Sequence, residues 1–236
     1  MTFDYRFDRR SAIGASELGT VMDVSPWGRP SDVWVHKRCG QQVSRDTFFT
    51  RRGNDLEWLV KQLYEKETRH VVLPQETTIR HPQVHMLSCT PDGWIKKGVH
   101  GLEIKTVFGE AHQGEWRVGE IPLHYILQVQ ISMEITGADK WDLCAYLVRP
   151  GHAEDDDPPG ELVTTRIYKD QALCDMLVAW SVQWWAWHVE DGVPVVDTKA
   201  TLKDRIAGFR AKVDSMRSGG QAADLRRRMV QSYVCW

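Results

Sequence analysis

Leu56, Leu59, Val60, Leu63 and Tyr64 recur at the three-and-four spacing of one helix face and predict a helix over 53–67. A shorter helix is expected at 14–22 (GASELGTVM), ended by the turn-like DVSPWGRPS. Another is expected at 32–40 (DVWVHKRCG), capped by Ser31 or Asp32 and stopped at Gly40. Between 70 and 107 the pattern changes to short β-rich runs, VVLPQETTIR, VHMLSCT, DGWIKK and GLEIKTV. Gly and Pro punctuate them, as in an antiparallel meander. Residues 121–136 (IPLHYILQVQISMEIT) are long enough for a helix and apolar nearly all round, which predicts burial. KWDLCAYLVRP and ELVTTRIYK form a hairpin across the acidic loop GHAEDDDPPG, a long helix follows over roughly 170–190, and the segment 200–236 adds one or two more. This order predicts one α/β domain over 1–236 with a central mixed β-sheet flanked by helices, a core of about 9–192 and a helical tail of about 197–236.

Composition narrows the functional classes. A net charge of −2 gives no overall basicity, so nucleic-acid binding would need a local basic patch. The five cysteines are scattered, with no CxxC pair and no His/Cys cluster, which disfavours zinc and a disulfide framework and fits a reducing cytosol. MTFDYRFDRR has no signal-peptide core and no run approaches the length of a membrane span, so a cytoplasmic location is expected.

The chemistry-bearing stretch is CTPDGWIKKGVHGLEIKTV, residues 89–107. Along a strand, Glu103 and Lys105 share one face while Leu102, Ile104 and Thr106 share the other. Alone, such a pair reads as a solvated ion pair worth about 0–1 kcal/mol. Asp92, however, lies in a Pro-Asp-Gly turn, and a short hairpin over 93–101 would set it against Glu103. Two carboxylates held together repel unless a cation joins them, and hard oxygen ligands suit Mg2+ or Mn2+ completed by water and phosphate. With a lysine beside them, these are the parts for metal-assisted phosphodiester hydrolysis.

PD at 91–92 followed by EIK at 103–105 resembles the PD-(D/E)XK restriction-endonuclease-like core. GASELGTVMDVSPWGRPSDVWVHK, RGNDLEWLVKQLYEKET and IPLHYILQVQISMEITG resemble, in order, the amino-terminal signature, acidic helix and QVQ helix of the lambda-exonuclease-like, YqaJ-type viral recombinases, also called alkaline exonucleases. The resemblance implies a 5′→3′ exodeoxyribonuclease that digests one strand of linear double-stranded DNA and leaves 3′ single-stranded tails. It also implies a phage or prophage origin in a bacterial host, a homotrimeric ring and a single-strand annealing protein as partner. Asp92, Glu103 and the Ile104 carbonyl would hold the metal ions in such an enzyme, Mg2+ with Mn2+ as substitute, two per site. Lys105 would position the attacking water, with a depressed pKa favouring alkaline activity. Glu57 matches the acidic-helix carboxylate, Gln128 the glutamine that helps place Lys105, and Ser16 with Arg9 or Arg10 a pocket for a terminal 5′-phosphate. An endonuclease of the same core and a non-catalytic DNA-end-binding module are the alternatives.

Read without the resemblance, Glu57 is also compatible with a surface helix position, and Ser16 with a helix-start residue bonding local backbone. Gln128 and Gln130 lie about 200° apart on a helix, so at most one can reach the metals. Trp180, Trp184 and Trp187 recur at helical spacing as a packing stripe, whereas Trp27, between Pro26 and Gly28, is the candidate for exposure near DNA. His112, His124 and His188 lack ligand spacing, and Asp155–Asp157 reads as a solvated loop. From 197 onward nine Lys/Arg face four Asp, including LRRRM at 225–229, open between backbone phosphate contact, a solvated helix and an oligomer contact.

Overall fold

The structure, a computed structural model, describes residues 8–41, 47–75, 77–95 and 100–234. After a 3-10 turn at Arg9–Ser11, strand β1 (Ile13–Gly14) leads into helix α1 (Ala15–Val21), followed by helix α2 (Pro30–Cys39). α2 starts ahead of the expected Asp32 because Pro30 occupies its first position, where a missing N–H costs nothing. Asp32 serves the helix start from inside, accepting the Arg29 amide at 2.8 Å, while the Ser31 hydroxyl donates to Asp197 at 2.5 Å. Helix α3 (Phe48–Thr68) also starts earlier than expected, since Thr47 caps it by accepting the Thr50 amide.

Strands β2 (Val72–Leu73), β3 (Ile79–Arg80), β4 (Leu87–Cys89), β5 (Gly93–Ile95) and β6 (His100–Val107) come next. They do not form the single meander expected. β3 and β4 join β1 in a small sheet ordered β1-β4-β3, whereas β2, β5 and β6 belong to the large one. Pro74 and Pro91 stand where the chain changes sheets, and neither can donate to a ladder. The tip of the β5–β6 hairpin, 96–99, lies outside the described residues.

Helices α4 (Glu110–Arg117) and α5 (Leu123–Thr136) then cross over to strand β7 (Lys140–Val148), which pairs parallel with β6, and strand β8 (Gly160–Tyr168) returns antiparallel to β7. The large sheet is therefore mixed, as expected, in the order β2-β5-β6-β7-β8. Helix α6 (Gln171–Trp184) continues into a π-helical turn at Trp185–Glu190, and helices α7 (Leu202–Ser218) and α8 (Ala222–Val234) end the fold.

Strand alternation divides the core. Leu102 and Ile104 of β6 pack with Cys144 and Tyr146 of β7 under Leu56, Val60 and Tyr64 of α3. On the opposite face, Val107, Trp141, Leu143 and Ala145 pack against Trp116 of α4 and Val129 and Met133 of α5. Helix α5 also sends Leu127 and Ile131 into a third cluster with Leu18, Met176 and Leu177, so it is buried on both sides. Phe209, Val213, Leu225 and Met229 join that cluster, making the tail part of the core. Trp180 packs there, but the wider π turn breaks the expected stripe and leaves Trp187 exposed. No helix among the described residues is long and apolar enough to cross a membrane.

Candidate active site

The β5–β6 hairpin brings Asp92 and Glu103 together as its register requires. Gly93 pairs with Leu102, the Asp92 amide donates to the Leu102 carbonyl at 3.1 Å, and Asp92 Oδ2 accepts the Ile104 amide at 2.7 Å. In a strand a residue's N–H and C=O leave on the same side, so the Ile104 carbonyl emerges beside Asp92, past the end of β5. Gly93 is required for packing, because a Cβ there would collide with Val72 of β2.

Glu103 is no surface residue: it is only 4% exposed. Lys105 Nζ lies 2.6 Å from Glu103 Oε1, and the Gln128 side-chain amide of α5 donates to the same oxygen. The Tyr125 ring, one α-helical turn before Gln128, lies under the Lys105 ammonium at 5.0 Å. Gln130 faces away, donating to the Tyr168 carbonyl and accepting the Asp170 amide, both at 2.9 Å. One glutamine of the QVQ segment reaches the charged strand and the other braces the α6 entry. Helical geometry demands this division.

Burial, then the neighbouring Glu103 carboxylate, pushes Asp92 up to about 8, against the lowering influence of Lys105 and the Ile104 amide. Glu57 adds a smaller upward push, which locates its charge within reach of Asp92. Its carboxylate is half-exposed on α3 and pairs with Lys61 at 2.5 Å, so Glu57 sits at the rim. Lys105 contradicts the expected depressed pKa. Burial alone would lower it, but Glu103 and Asp92 outweigh burial and hold it above the ordinary lysine value. Without a metal this lysine keeps its proton and acts as a fixed positive charge.

Among the described residues, no group of three His, Cys, Asp or Glu side chains is placed to hold a metal. The donor set here is smaller, two carboxylates and one carbonyl, and it fits Mg2+, which keeps several waters and uses substrate phosphate. The mutual repulsion that raises Asp92 is what a cation would relieve.

A cavity of about 340 Å3 opens beside this strand, lined by Arg9, Ser16, Glu17, Thr78, Thr90 and Gln128 among others. It brings together Ser16 and, of the two candidate arginines, Arg9. The Arg10 guanidinium instead lies over Gly40 at the end of α2. Gln128 belongs to both the cavity wall and the Glu103 cluster, so the two are adjacent. Trp27 is 60% exposed and meets the His112 ring edge-on at 6.2 Å. Sequence reasoning missed the buried Glu17–Lys37 pair behind this cavity and the Thr78–Thr90 hydroxyl contact on its rim, 2.6 and 2.9 Å respectively. For Glu17, the third residue of α1, the signal was an acid placed to accept the helix-start amide, the half of a capping box that Gly14 permits.

The model of the YqaJ-like viral recombinase domain matches residues 4–139, more than half of the chain and all the candidate residues above. The chain belongs to this family. It is 23% identical over 236 residues to the YqaJ protein of Bacillus subtilis (strain 168), a match covering 98% of this chain and 70% of that protein. Among solved structures, this YqaJ-like domain shares its fold with the alkaline exonuclease LHK-Exo of Laribacter hongkongensis, at a TM-score of 0.59 and 21% identity, covering 93% of this chain and 98% of that one. LHK-Exo in complex with dAMP matches at the same TM-score, 0.59, and 21% identity, covering 90% and 95%. A phage-related exonuclease of Haemophilus somnus 129PT matches at 0.57 and 13% identity, covering 76% and 96%.

Proposed function

We propose that this YqaJ-like domain is a Mg2+-dependent exodeoxyribonuclease that digests one strand of linear double-stranded DNA from its 5′ end, leaving 3′ tails for recombination by strand annealing. The observation that carries this reading is the convergence of Asp92, Glu103, Lys105 and Gln128 beside a cavity lined by Arg9 and Ser16. The shared fold with an alkaline exonuclease and a phage-related exonuclease supports it, as does the mononucleotide bound by LHK-Exo.

Asp92, Glu103 and the Ile104 carbonyl would hold the metal. Bound Mg2+, or Mn2+ in its place, supplies Lewis-acid activation of water and charge stabilisation at the phosphate. Gln128 and Lys105 fix the Glu103 carboxylate from two directions, and the ammonium of Lys105 faces the developing negative charge. Arg9 and Ser16 bind the terminal 5′-phosphate, which places the first phosphodiester of that strand beside Glu103. A homotrimeric ring around the duplex, a single-strand annealing partner and action in the bacterial cytoplasm complete the proposal.

The test uses end-labelled linear duplex beside covalently closed circles, each with Mg2+ or EDTA. Release of mononucleotides from the 5′-labelled strand of linear DNA only, and only with Mg2+, is expected. Nicking of closed circles would make the enzyme an endonuclease, and binding without cleavage in any divalent metal would leave a DNA-end-binding module.

A further inference from the structure

We propose that Lys37 is a positioning residue of the end-binding cavity: it neutralises Glu17, so that a carboxylate used to build the cavity wall does not repel the phosphate seated beside it. The inference rests on reading that cavity as the 5′-phosphate site.

Glu17 is an unexpected residue to find in such a wall. It lines the cavity together with Arg9, Gly14 and Ser16, yet it is an acid facing the place assigned to an anion. Its structural use is clear, because Oε2 accepts the Gly14 amide at 2.8 Å and fixes the turn that presents Ser16. Lys37, reaching in from α2, is not itself among the lining residues. Its side chain has no exposure, and its ammonium lies 2.6 Å from Glu17 Oε2 and donates to the Arg9 carbonyl, also at 2.6 Å. One buried cation thus ties together the two segments that carry Arg9 and Ser16, and cancels the charge of the carboxylate between them. His36 Nδ1 lies 3.8 Å from Glu17 Oε1, beyond hydrogen-bonding distance, and Arg9 lines the same cavity.

A purely structural ion pair and a charge-cancelling one make different predictions. Removing either partner of a structural brace loosens the cavity and weakens end binding. If charge cancellation is the role, the two removals act in opposite directions. The experiment measures digestion by the full chain in Mg2+ on linear duplexes with 5′-phosphate or 5′-hydroxyl ends, taking the ratio of the two rates. In wild type the ratio exceeds one. In Lys37→Met it falls by about tenfold or to one, since a buried acid is left unpaired against the phosphate. In Glu17→Gln, which keeps an acceptor for the Gly14 amide and frees the Lys37 charge, it holds or rises through a lower KM for phosphorylated ends. The double variant, with neither charge, recovers the preference lost in Lys37→Met.

A ratio of one in wild type overturns the cavity's assignment, and the charge-cancelling role of Lys37 with it. A wild-type preference that survives in Lys37→Met, or that falls in Glu17→Gln, overturns the charge-cancelling role alone. Should Lys37→Met fail to fold, Glu17→Gln and the double variant still decide the sign.

Discussion

The Lys105 ammonium lies 2.6 Å from the Glu103 Oε1 oxygen, which also receives the Gln128 amide. Two donors on one buried carboxylate oxygen fix it in a single orientation. Glu103→Gln and Lys105→Met are each expected to lower digestion of linear DNA by about 10²–10⁴-fold while circular dichroism and DNA binding stay near wild type. Normal turnover in either variant would reduce the pair to a structural contact.

Asp92 provides a stability test that needs no substrate. Burial and Glu103 push its carboxyl up to about 8, so its charged form is disfavoured in the metal-free fold. Saturation with Mg2+ at about 100-fold over its Kd adds roughly 2.7 kcal/mol, which for a chain of this size raises Tm by about 5–10 °C. Asp92→Asn is expected to abolish that rise and, by removing an acid that must take up a proton on folding at neutral pH, to unfold at a higher temperature than wild type in EDTA. A full Mg2+ response in Asp92→Asn would remove Asp92 from the ligand set.

The cavity proposed to bind a 5′ end separates the two arginines. Ser16→Ala and Arg9→Met should slow digestion of 5′-phosphorylated ends to the rate seen on 5′-hydroxyl ends. Arg10→Met should keep the preference, because that guanidinium packs over Gly40. Rate measurements on both end types check all three, and loss of preference in Arg10→Met alone would reverse the assignment.

The charged strand was legible because period two is unambiguous: Leu102 and Ile104 need a core, and so Glu103 and Lys105 must face the other way. The QVQ helix was legible for a similar reason, since about 200° of helix separates its glutamines. Other features were not written locally. The split into two sheets depends on which strand each short run meets, and a run of two or three residues carries no such information. Helix α4, EAHQGEWR, has one large apolar anchor in Trp116 and no stripe to read. The exchange of Trp187 from core to solvent needed a π turn that no spacing announces. Lys37 and Glu17 meet only because α1 and α2 pack together, and Lys105 is held protonated by Glu103 on its own strand and Asp92 from the turn before β5.

Acid should destabilise the Asp92→Asn variant in two stages; in metal-free wild type the raised Asp92 carboxyl gives an opposing slope between about 8 and 3.8. His124 at the start of α5 is lowered from 6.5 to about 4 by burial, with Lys105 and His112 adding to it. The unfolded chain therefore takes up a proton near pH 6.5 that the folded chain refuses until about 4, and stability falls as pH drops through that interval. Asp142 acts lower. Burial opposes its charge, but Arg166, Tyr64 and His100 outweigh burial and hold its carboxyl below 3.8, so its contribution is complete above that value and lost beneath it. Urea midpoints at stepped pH check this, and His124→Leu should flatten the upper stage. An unchanged slope in that variant would assign the loss to other groups.

The basic tail turns out to be two different surfaces. Arg226 points inward, its guanidinium contacting Glu134 of α5 and reaching Asp175 of α6 at 2.7 Å, while Arg227 is exposed and pairs with Asp224 at 3.5 Å. Glu134 is nearly enclosed and is also held by Lys169 at 2.7 Å, so losing Arg226 weakens its pairing without orphaning it. Arg226→Met is accordingly expected to cost about 2 kcal/mol, below the 3–5 typical of a buried charge left alone. Arg227→Ala should stay within about 0.5 kcal/mol of wild type. Urea unfolding distinguishes them, and digestion at low temperature, where both variants remain folded, should match wild type if α8 is a tether and not a DNA contact. Equal stability for the two variants would sink the tether. A salt-dependent loss of digestion in Arg227→Ala alone would instead give the outer surface of α8 to the DNA backbone.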